Sequence, residues 1–486
     1  MTQVEPGRRR WQALAMLCAA NFMVILDGTI VFVAMPSIGR ELALTTGTAQ
    51  WVMTAYGLVF GGLLLLCGRA ADLLGRRRLF MVGSLIFVIA SLLCGLAWAP
   101  WVLIAARALQ GLSAAIMSPA ALSLVMTTFT KPAERNKALA IWGAVGGLGG
   151  TAASLVGGPL TDLFGWEWIF FINVPIGIAL VALSPVLVAE SRDESSRRTV
   201  DVAGAVTITV ALGLAVYAIV KGPEAGWASG QTLGLLAGAI ALIAVFVVIE
   251  SRTLTPMIPL RVFRSRSLLA GNLTLLTIGI CAYGMVFTLT AYAQGVLNYS
   301  AVQFGLMTAV MAGTAAASSF IAEAVANRRG PRPIAIVSLV FVGVGLVLLS
   351  MVSADGSYWN DIFWGLLIFG PGLGAGFVAG TIASFGGVEE RDAGLAAGLI
   401  NTSWQIGGSL GIAILTSVSL ARSAGFAAES GQQPNTPAAL TEGFQSAFLV
   451  AVIFAVVGLV VVTLLLRKPR QTTLDASVTA PAAASD

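Results

Sequence analysis

Apolar runs about as long as a membrane span recur along almost the whole chain. Each run is close to the roughly 20 residues that an α-helix needs to cross about 30 Å of hydrocarbon. The strands of a membrane β-barrel would be shorter and would alternate in polarity, so the pattern predicts an all-α integral membrane protein. The runs predict fourteen transmembrane helices, near residues 12–36, 48–70, 79–97, 101–129, 138–160, 168–189, 202–221, 231–250, 267–291, 301–324, 333–352, 360–385, 395–420 and 444–466.

The basic residues lie mainly on one side of this predicted bundle. An even number of spans places both termini on the same side, and 24 of the 28 Lys and Arg residues fall there. Only Arg40, Lys221 and Arg422 fall on the other side, and Arg107 lies within a span. Because cytoplasmic loops hold the excess of positive charge, we expect a protein of the cell membrane with cytoplasmic N- and C-termini. The net charge of +5 therefore reports topology and does not indicate a nucleic-acid partner.

A weak internal repeat divides the chain. In the loops after the second and tenth spans, Asp72 aligns with Asn327 and Gly75 with Gly330. If spans nine to fourteen repeat spans one to six, spans seven and eight are two helices inserted between two six-helix bundles. The predicted order is an N-terminal segment, a bundle, a linker, the inserted pair, a linker, a bundle and a disordered tail, at residues 1–11, 12–190, 191–201, 202–250, 251–266, 267–466 and 467–486.

Asp27 is the carboxylate that lies deepest in a predicted span, in a run without other charges from Trp11 to Ser37. A charged side chain in a membrane helix costs roughly 2.5 to 3.5 kcal/mol on insertion scales, so its default interpretation is functional. The chain contains no histidine, which leaves carboxylates as proton carriers near neutral pH. Asp27 is therefore a candidate to alternate between a proton and a cationic partner. The alternative is a purely structural salt bridge.

Arg107 is the candidate partner of Asp27. At 1.5 Å per residue, Arg107 lies roughly 9 Å and Asp27 roughly 14 Å from the outer ends of their spans. A bridge between them that breaks when Asp27 is protonated would couple the proton to helix movement. A permanent ion pair that holds two helices together is the alternative. Gln110 lies three residues after Arg107 on the same helix face.

Several motifs resemble those of the major facilitator superfamily. They are Asp-Gly-Thr at 27–29 with Ala-Met-Pro at 34–36, the loop at 68–78 and Arg-Ala-Leu-Gln-Gly at 107–111. The fourteen spans and the segment at 166–175 resemble its fourteen-helix drug:proton antiporter branch. The resemblance implies two six-helix bundles with alternating access and the export of drugs, dyes, biocides or antibiotics in exchange for protons. It also assigns the arginine of the 107–111 motif to proton coupling.

The loop after the second span resembles the cytoplasmic gate of that family. Its candidate gate residues are Gly68, Asp72, Gly75, Arg76 and Arg77. The arginines alone would be explained by topology, but that rule predicts neither the glycines nor the acid. Glycine permits close approach or positive φ, and an aspartate can accept hydrogen bonds from arginine or cap a helix.

The fifth span resembles the antiporter motif of the family. The motif residues are Gly149, Gly157, Gly158 and Pro159. Ala153 and Ser154 stand where Gly-Pro is usual, which weakens the indication of antiport. Packing of small residues between membrane helices is the alternative explanation of these glycines.

Polar and aromatic residues inside the spans are candidates to line a substrate cavity. They are Gln110, Trp51, Tyr56, Trp142, Asn173, Tyr283, Asn401 and Gln405. Each could equally be a packing residue, because pockets use few polar groups. With a single deep acid, the favoured substrate is a small amphipathic molecule that is neutral or a monovalent cation.

The sequence thus predicts a monomeric secondary exporter of amphipathic drugs or antibiotics, driven by proton antiport and needing neither metal nor cofactor. The four cysteines lack metal-ligand spacing, and the loops are too short for a catalytic domain, so we do not expect an enzyme. A dedicated exporter of a single endogenous metabolite remains an alternative, as does a membrane sensor that transports nothing.

Overall fold

Helices make up the regular structure of this protein. The computed structural model describes residues 6–192, 201–253, 256, 258–386, 388 and 393–466. Within these residues, fourteen helical segments are long and apolar enough to cross a membrane, which confirms the predicted number. The helices are α1 (Pro6–Glu41), α2 (Thr46–Leu74), α3 (Arg76–Gly95), α4 (Pro100–Thr128), α5 (Pro132–Phe164), α6 (Trp168–Phe171), α7 (Asn173–Leu187), α8 (Val202–Ala225), α9 (Gly230–Arg252), α10 (Arg266–Gly295), α11 (Ala301–Arg329), α12 (Pro331–Leu349), α13 (Phe363–Phe385), α14 (Ala393–Ser430) and α15 (Pro437–Leu465).

The short α6 and the longer α7 together form the sixth span. A 3₁₀ turn, Leu260–Arg264, precedes α10, and a π-helical turn, Tyr358–Ile362, leads into α13. Most helices continue past the apolar run from which the span was predicted, since backbone hydrogen bonding does not stop where hydrocarbon would. Helix α1 accordingly includes part of the predicted N-terminal segment. The predicted tail at 467–486 and most of the first linker, 193–200, lie outside the described residues.

Side-chain caps mark where several helices begin. In each case a hydroxyl oxygen accepts a hydrogen bond from the backbone N–H three residues on, which satisfies a donor that has no partner in the first turn. The capping residues are Thr45, Ser229, Ser265, Ser300 and Thr436.

The two bundles repeat with a shift of 255 residues, from Gly75 to Gly330. Helices α2 and α11 both contain 29 residues. Each is followed by one of these glycines, with φ of 113° at Gly75 and 76° at Gly330. Only glycine adopts such angles readily, so the same sharp turn begins α3 and α12.

A second repeated contact ties each of these turns to the last span of its own bundle. Arg77 Nη1 donates to the carbonyl oxygen of Val188, which ends α7, at 3.2 Å. Arg332, 255 residues after Arg77, donates through Nη2 to the carbonyl oxygen of Thr463 in α15, also at 3.2 Å. The repeat thus extends from sequence to tertiary contacts.

We call the side that carries the α2–α3 and α11–α12 turns the basic side and the other the opposite side. Several contacts between the bundles lie near the opposite side. Gln294 Nε2 of α10 donates to the carbonyl oxygen of Val33 in α1 at 2.9 Å. The backbone N–H of Val302, in the first turn of α11, donates to Asp162 Oδ2 of α5 at 3.1 Å. A Cβ added at Gly158 would lie 2.6 Å from Val302 Cα, so α5 and α11 are closely packed there.

The contacts between α5 and α11 described above thus lie near the opposite side. Nearer the middle and the basic side, no described atom outside the local helix lies within 4 Å of where a Cβ would stand at Gly143, Gly150 or Gly313.

Helix α8 of the inserted pair contacts both bundles. It packs on α2 and α14, where Leu58, Val216, Val220 and Ala413 form one buried apolar cluster. Ser417 Oγ of α14 donates to the carbonyl oxygen of α8 residue 219 at 2.9 Å. The inserted pair thus covers the seam between α2 and α14.

Candidate functional site

A buried ion pair lies in the middle of the N-terminal bundle. Arg107 Nη1 of α4 donates to Asp27 Oδ2 of α1 at 2.7 Å. Both side chains are 0% exposed. The structure therefore brings together Asp27 and Arg107, which similar depths in their predicted spans had suggested as partners.

Two amides complete the surroundings of the carboxylate. Asn173 Nδ2 donates to Asp27 Oδ1 at 2.8 Å, and Gln110 Nε2 donates to the same oxygen at 3.0 Å. The interruption between α6 and α7 places Asn173 at the first position of α7. Three helices, α1, α4 and α7, thus meet at one carboxylate, which accepts hydrogen bonds at both oxygens.

Gln110 connects this carboxylate to α3. Its Oε1 accepts from Arg107 Nη1 at 2.8 Å and from Cys94 Sγ at 3.2 Å. Its Nε2 also donates to Ser91 Oγ at 2.9 Å. Sequence reasoning missed Ser91 and Cys94. Their spacing of three residues on α3 places them on one helix face, but this signal is too common in membrane helices to stand alone.

Arg107 is held by backbone and ring contacts as well. Its Nε donates to the carbonyl oxygen of Val52 at 3.2 Å, and its guanidinium carbon lies 4.4 Å from the centre of the Tyr56 ring. The Tyr56 hydroxyl donates to the carbonyl oxygen of Val24 at 3.1 Å. A Cβ at Gly111 would lie within 2.4 Å of the Tyr56 carbonyl oxygen, so glycine is required for α2 and α4 to approach this closely.

The charge state of Asp27 determines how strongly this pair holds together. With Asp27 ionised, the pair satisfies both charges, and removing one partner of a buried pair typically costs about 3 to 5 kcal/mol. With Asp27 protonated, the attraction to Arg107 disappears and the guanidinium becomes free to find another anion, dipole or water. Arg107 Nη2 already has no hydrogen-bond partner among the described residues. Protonation of Asp27 would therefore weaken the contact between α1 and α4.

A second polar cluster lies in the C-terminal bundle. Trp404 Nε1 donates to the Tyr283 hydroxyl at 3.2 Å, and this hydroxyl donates to Gln405 Oε1 at 3.3 Å. Phe377 of α13 meets Trp404 edge-on at 5.3 Å between ring centres, and Phe32 of α1 meets Tyr283 at 5.6 Å. Sequence reasoning named Tyr283 and Gln405 but missed the three other rings, because one tryptophan or phenylalanine among many carries no signal.

Three other predicted cavity residues lie away from the ion pair. Trp51 packs against Tyr217 of α8, with 6.3 Å between the ring centres. Trp142 lines a shallow crevice between α1, α4 and α5, and its carbonyl oxygen accepts from Asn21 Nδ2 at 3.4 Å. Asn401 is exposed and donates to a carbonyl of its own helix.

The predicted gate residues are bonded within the N-terminal bundle. Asp72 Oδ1 accepts from Arg76 Nε at 2.9 Å and pairs with its Nη2 at 2.8 Å. A Cβ at Gly68 would meet the Pro119 ring of α4 at 3.4 Å. Gly75 supplies the turn between the helices.

Glu190, which sequence reasoning did not single out, caps this loop. Its Oε1 accepts from the backbone N–H of Arg77 at 3.1 Å and its Oε2 from that of Arg78 at 3.2 Å. A carboxylate at a helix N-terminus satisfies free donors and interacts favourably with the helix dipole. The end of the sixth span is thereby fixed to the start of α3.

The glycines of the predicted antiporter-motif helix lie at close contacts of α5. A Cβ at Gly149 would meet the Phe22 carbonyl oxygen at 3.1 Å, and one at Gly157 would meet Ile30 Cγ1 at 2.8 Å. Both face α1, whereas Gly158 faces α11. Pro159 lies inside the helix.

Within the described part of the chain, no group of three or more His, Cys, Asp or Glu residues is placed to hold a metal ion. The four cysteines are buried free thiols.

Two repeated helical bundles, one of which holds a buried ionisable pair, are the architecture of a secondary membrane transporter. The sequence profile of the Major Facilitator Superfamily matches residues 17–412, and the chain belongs to this superfamily. It is 37% identical to the puromycin resistance protein pur8 of Streptomyces alboniger, over 95% of this chain and 91% of that protein. It is 36% identical to the cephamycin export protein CmcT of Amycolatopsis lactamdurans, over 86% of each chain.

Among solved structures, the chain is similar to an inward-facing bacterial homolog of the human lysosomal transporter Spinster. The TM-score is 0.65, with 17% identity, over 94% of this chain and 97% of the other. This similarity concerns the fold alone.

Proposed function

We propose that this protein exports amphipathic drugs or antibiotics from the cell in exchange for protons. The observation that carries the proposal is the fully buried pair of Asp27 and Arg107, with Gln110 and Asn173 bonded to the same carboxylate. The names of the related antibiotic resistance and export proteins support the direction of transport and the class of substrate.

In the proposed cycle, Asp27 is the proton carrier and Arg107 its conformational partner. A proton that reaches Asp27 from outside neutralises the carboxylate, and the bond to Arg107 loses its electrostatic contribution. The bundles then rock, and release of the proton on the other side restores the pair. Gln110 and Asn173 keep the carboxylate oriented in the ionised state.

The basic side corresponds to the cytoplasm in this proposal, because that side carries most of the Lys and Arg residues. The arrangement described above, closed near the opposite side, is then the state that receives substrate from the cell. Gly68, Asp72, Gly75, Arg76 and Arg77 would form the gate that closes the basic side in the other state. We expect a monomer in the plasma membrane.

The membrane potential is sufficient to drive such an exchange. A potential of about 100 mV supplies about 2.3 kcal/mol for each charge that crosses, which corresponds to roughly fiftyfold accumulation of substrate. A pH gradient adds to this driving force.

The test is drug efflux from proteoliposomes driven by an imposed pH gradient. Asp27→Asn keeps a hydrogen-bonding side chain beside Arg107 but cannot cycle a proton, so we expect pH-driven efflux to fall to background. The matched control is Glu323→Gln, at an exposed acid on α11, which should transport like the wild type. Monodisperse elution in size-exclusion chromatography checks folding, and full transport by a folded Asp27→Asn protein would refute the proposal.

A dedicated exporter of one compound is the second candidate. It is favoured by the names of the relatives, which refer to single antibiotics. Competition among unrelated dyes and antibiotics for efflux separates the two, because a dedicated exporter is inhibited by its own substrate alone.

A further inference from the structure

Two polar side chains of α2 are buried without hydrogen-bond partners. Gln50 is 0% exposed, and neither its Oε1 nor its Nε2 bonds to any described residue. Thr54, one turn further along α2, is also 0% exposed, and its Oγ1 likewise has no partner in the described part of the chain. Neither residue belongs to the Asp27 network.

The helix face that carries Gln50 and Thr54 points toward the C-terminal bundle. Gly57 lies on the same face, and a Cβ there would meet Ser409 Oγ of α14 at 2.6 Å. One turn further, a Cβ at Gly61 would meet Gln405 Cβ at 3.1 Å. The two helices are antiparallel, so this register places Gln50 and Thr54 at the level of residues 412–416 of α14.

Thr416 lies at that level of α14, 6% exposed, and its Oγ1 also lacks a partner among the described residues. Helices α2 and α14, one from each bundle, thus contribute unpartnered polar atoms to one seam near the opposite side.

Buried polar groups without partners are rare in native proteins because desolvation is not repaid by a hydrogen bond. Three such residues at one seam indicate that the protein has another state in which they have partners. A seam between two bundles that rock apart supplies such a state, since its faces then meet water and substrate.

We propose that Gln50, Thr54 and Thr416 form an exit-side polar lining, which binds water and the hydroxyl, carbonyl or amide groups of the departing substrate when the bundles part at the opposite side. This inference rests on the proposed alternating-access function. When the seam closes, the lining loses its partners. The lining therefore shifts the equilibrium toward the state open at the opposite side and favours release of substrate there.

The experiment measures the two states directly, without transport. Spin labels are attached through Leu163→Cys at the end of α5 and Leu306→Cys near the start of α11, which are 74% and 60% exposed. The native cysteines are buried, so the introduced ones react selectively. Pulsed electron paramagnetic resonance in lipid nanodiscs then gives the ratio of the long distance, with the bundles apart at the opposite side, to the short distance, with the bundles together there.

Gln50→Leu and Thr416→Val remove the polar atoms with little change in size. Each should lower the ratio of long to short distance by about tenfold, because the state closed at the opposite side no longer holds a desolvated group. The matched control is Thr274→Val on α10. The Thr274 side chain is also 0% exposed, but its Oγ1 donates to the carbonyl oxygen of Ala270 in the same helix. This control should leave the ratio within about twofold of the wild type.

An unchanged or increased ratio in both Gln50→Leu and Thr416→Val, relative to Thr274→Val, would overturn the inference. If the wild type shows a single distance at every pH, with and without ethidium as a test substrate, alternating access itself fails. If the wild type shows two distances but the variants do not change their ratio, the polar lining is refuted and alternating access is not. The two failures are therefore distinguishable.

Discussion

The two bundles differ most at the position of Asp27, the buried carboxylate of the N-terminal bundle. The shift of 255 residues that relates them carries Asp27 to Ala282, which is buried beside Tyr283. The N-terminal bundle thus contains a carboxylate with an arginine, whereas the C-terminal bundle contains an alanine next to a cluster of rings and one amide. The backbone has been repeated, but the chemistry of the centre has not.

This difference supports a division of tasks within the proposed cycle. The N-terminal bundle has the groups that can bind a proton and respond to it. The C-terminal bundle offers Tyr283, Trp404 and Gln405, which suit the ring systems and polar groups of an amphipathic molecule. Contact between Phe32 and Tyr283 joins the two regions across the seam.

The largest effect is expected when the charged centre loses one partner. Arg107→Leu leaves the Asp27 carboxylate buried without its cation, which should destabilise the protein by about 3 to 5 kcal/mol. Thermal unfolding followed by fluorescence in detergent measures this change. The double variant Asp27→Leu with Arg107→Leu should recover much of the loss, and a double variant as unstable as the single one would contradict this account.

A smaller effect is expected in the aromatic region. Trp404→Leu removes two ring contacts and a donor to Tyr283, so we expect the KM for efflux of a planar aromatic dye to rise by about two- to tenfold. The number of protons exchanged per dye should stay unchanged, because Asp27 is untouched. Trp364→Leu, at a ring that is 56% exposed on α13, is the control. A change in the number of protons exchanged per dye in Trp404→Leu would contradict the proposed division of tasks between the bundles.

The smallest effect concerns the repeated turns on the basic side. Both turns are tied to a last span by an arginine, but Glu190 adds a carboxylate cap in the N-terminal bundle. Glu190→Gln should lower the free energy of unfolding by about 1 kcal/mol, since an amide oxygen replaces a charged acceptor. Chemical denaturation measures it against Glu429→Gln, whose carboxylate is largely exposed. Equal free energies of unfolding for Glu190→Gln and Glu429→Gln would show that the Glu190 cap does not stabilise the protein.

Much of the fold could be predicted because the membrane imposes length and polarity on each helix. The fourteen spans follow from apolar runs, and the similar depths of Asp27 and Arg107 follow from counting residues along two helices. The repeat could be recognised from Gly75 and Gly330, since a turn with positive φ leaves glycine in the sequence.

The rest could not be predicted because hydropathy does not specify how a membrane helix is rotated. Trp51 and Tyr56 lie on the same helix, yet one packs on α8 and the other beneath Arg107. Glu190 was expected to end the bundle, but only the folded loop shows that it caps α3. Trp404 could not be recognised as a site residue because its hydrogen-bond partner, Tyr283, is distant in sequence.

The position of α8 also determines which part of the protein the lipids reach. Helix α8 shields the junction of α2 and α14 from acyl chains, whereas α5 and α11 meet along the other seam without contributions from the inserted pair among their principal neighbours. In the proposed cycle, rocking would therefore displace lipid mainly along α5 and α11. The thickness and fluidity of the surrounding membrane would then act on this transporter from one flank more than from the other.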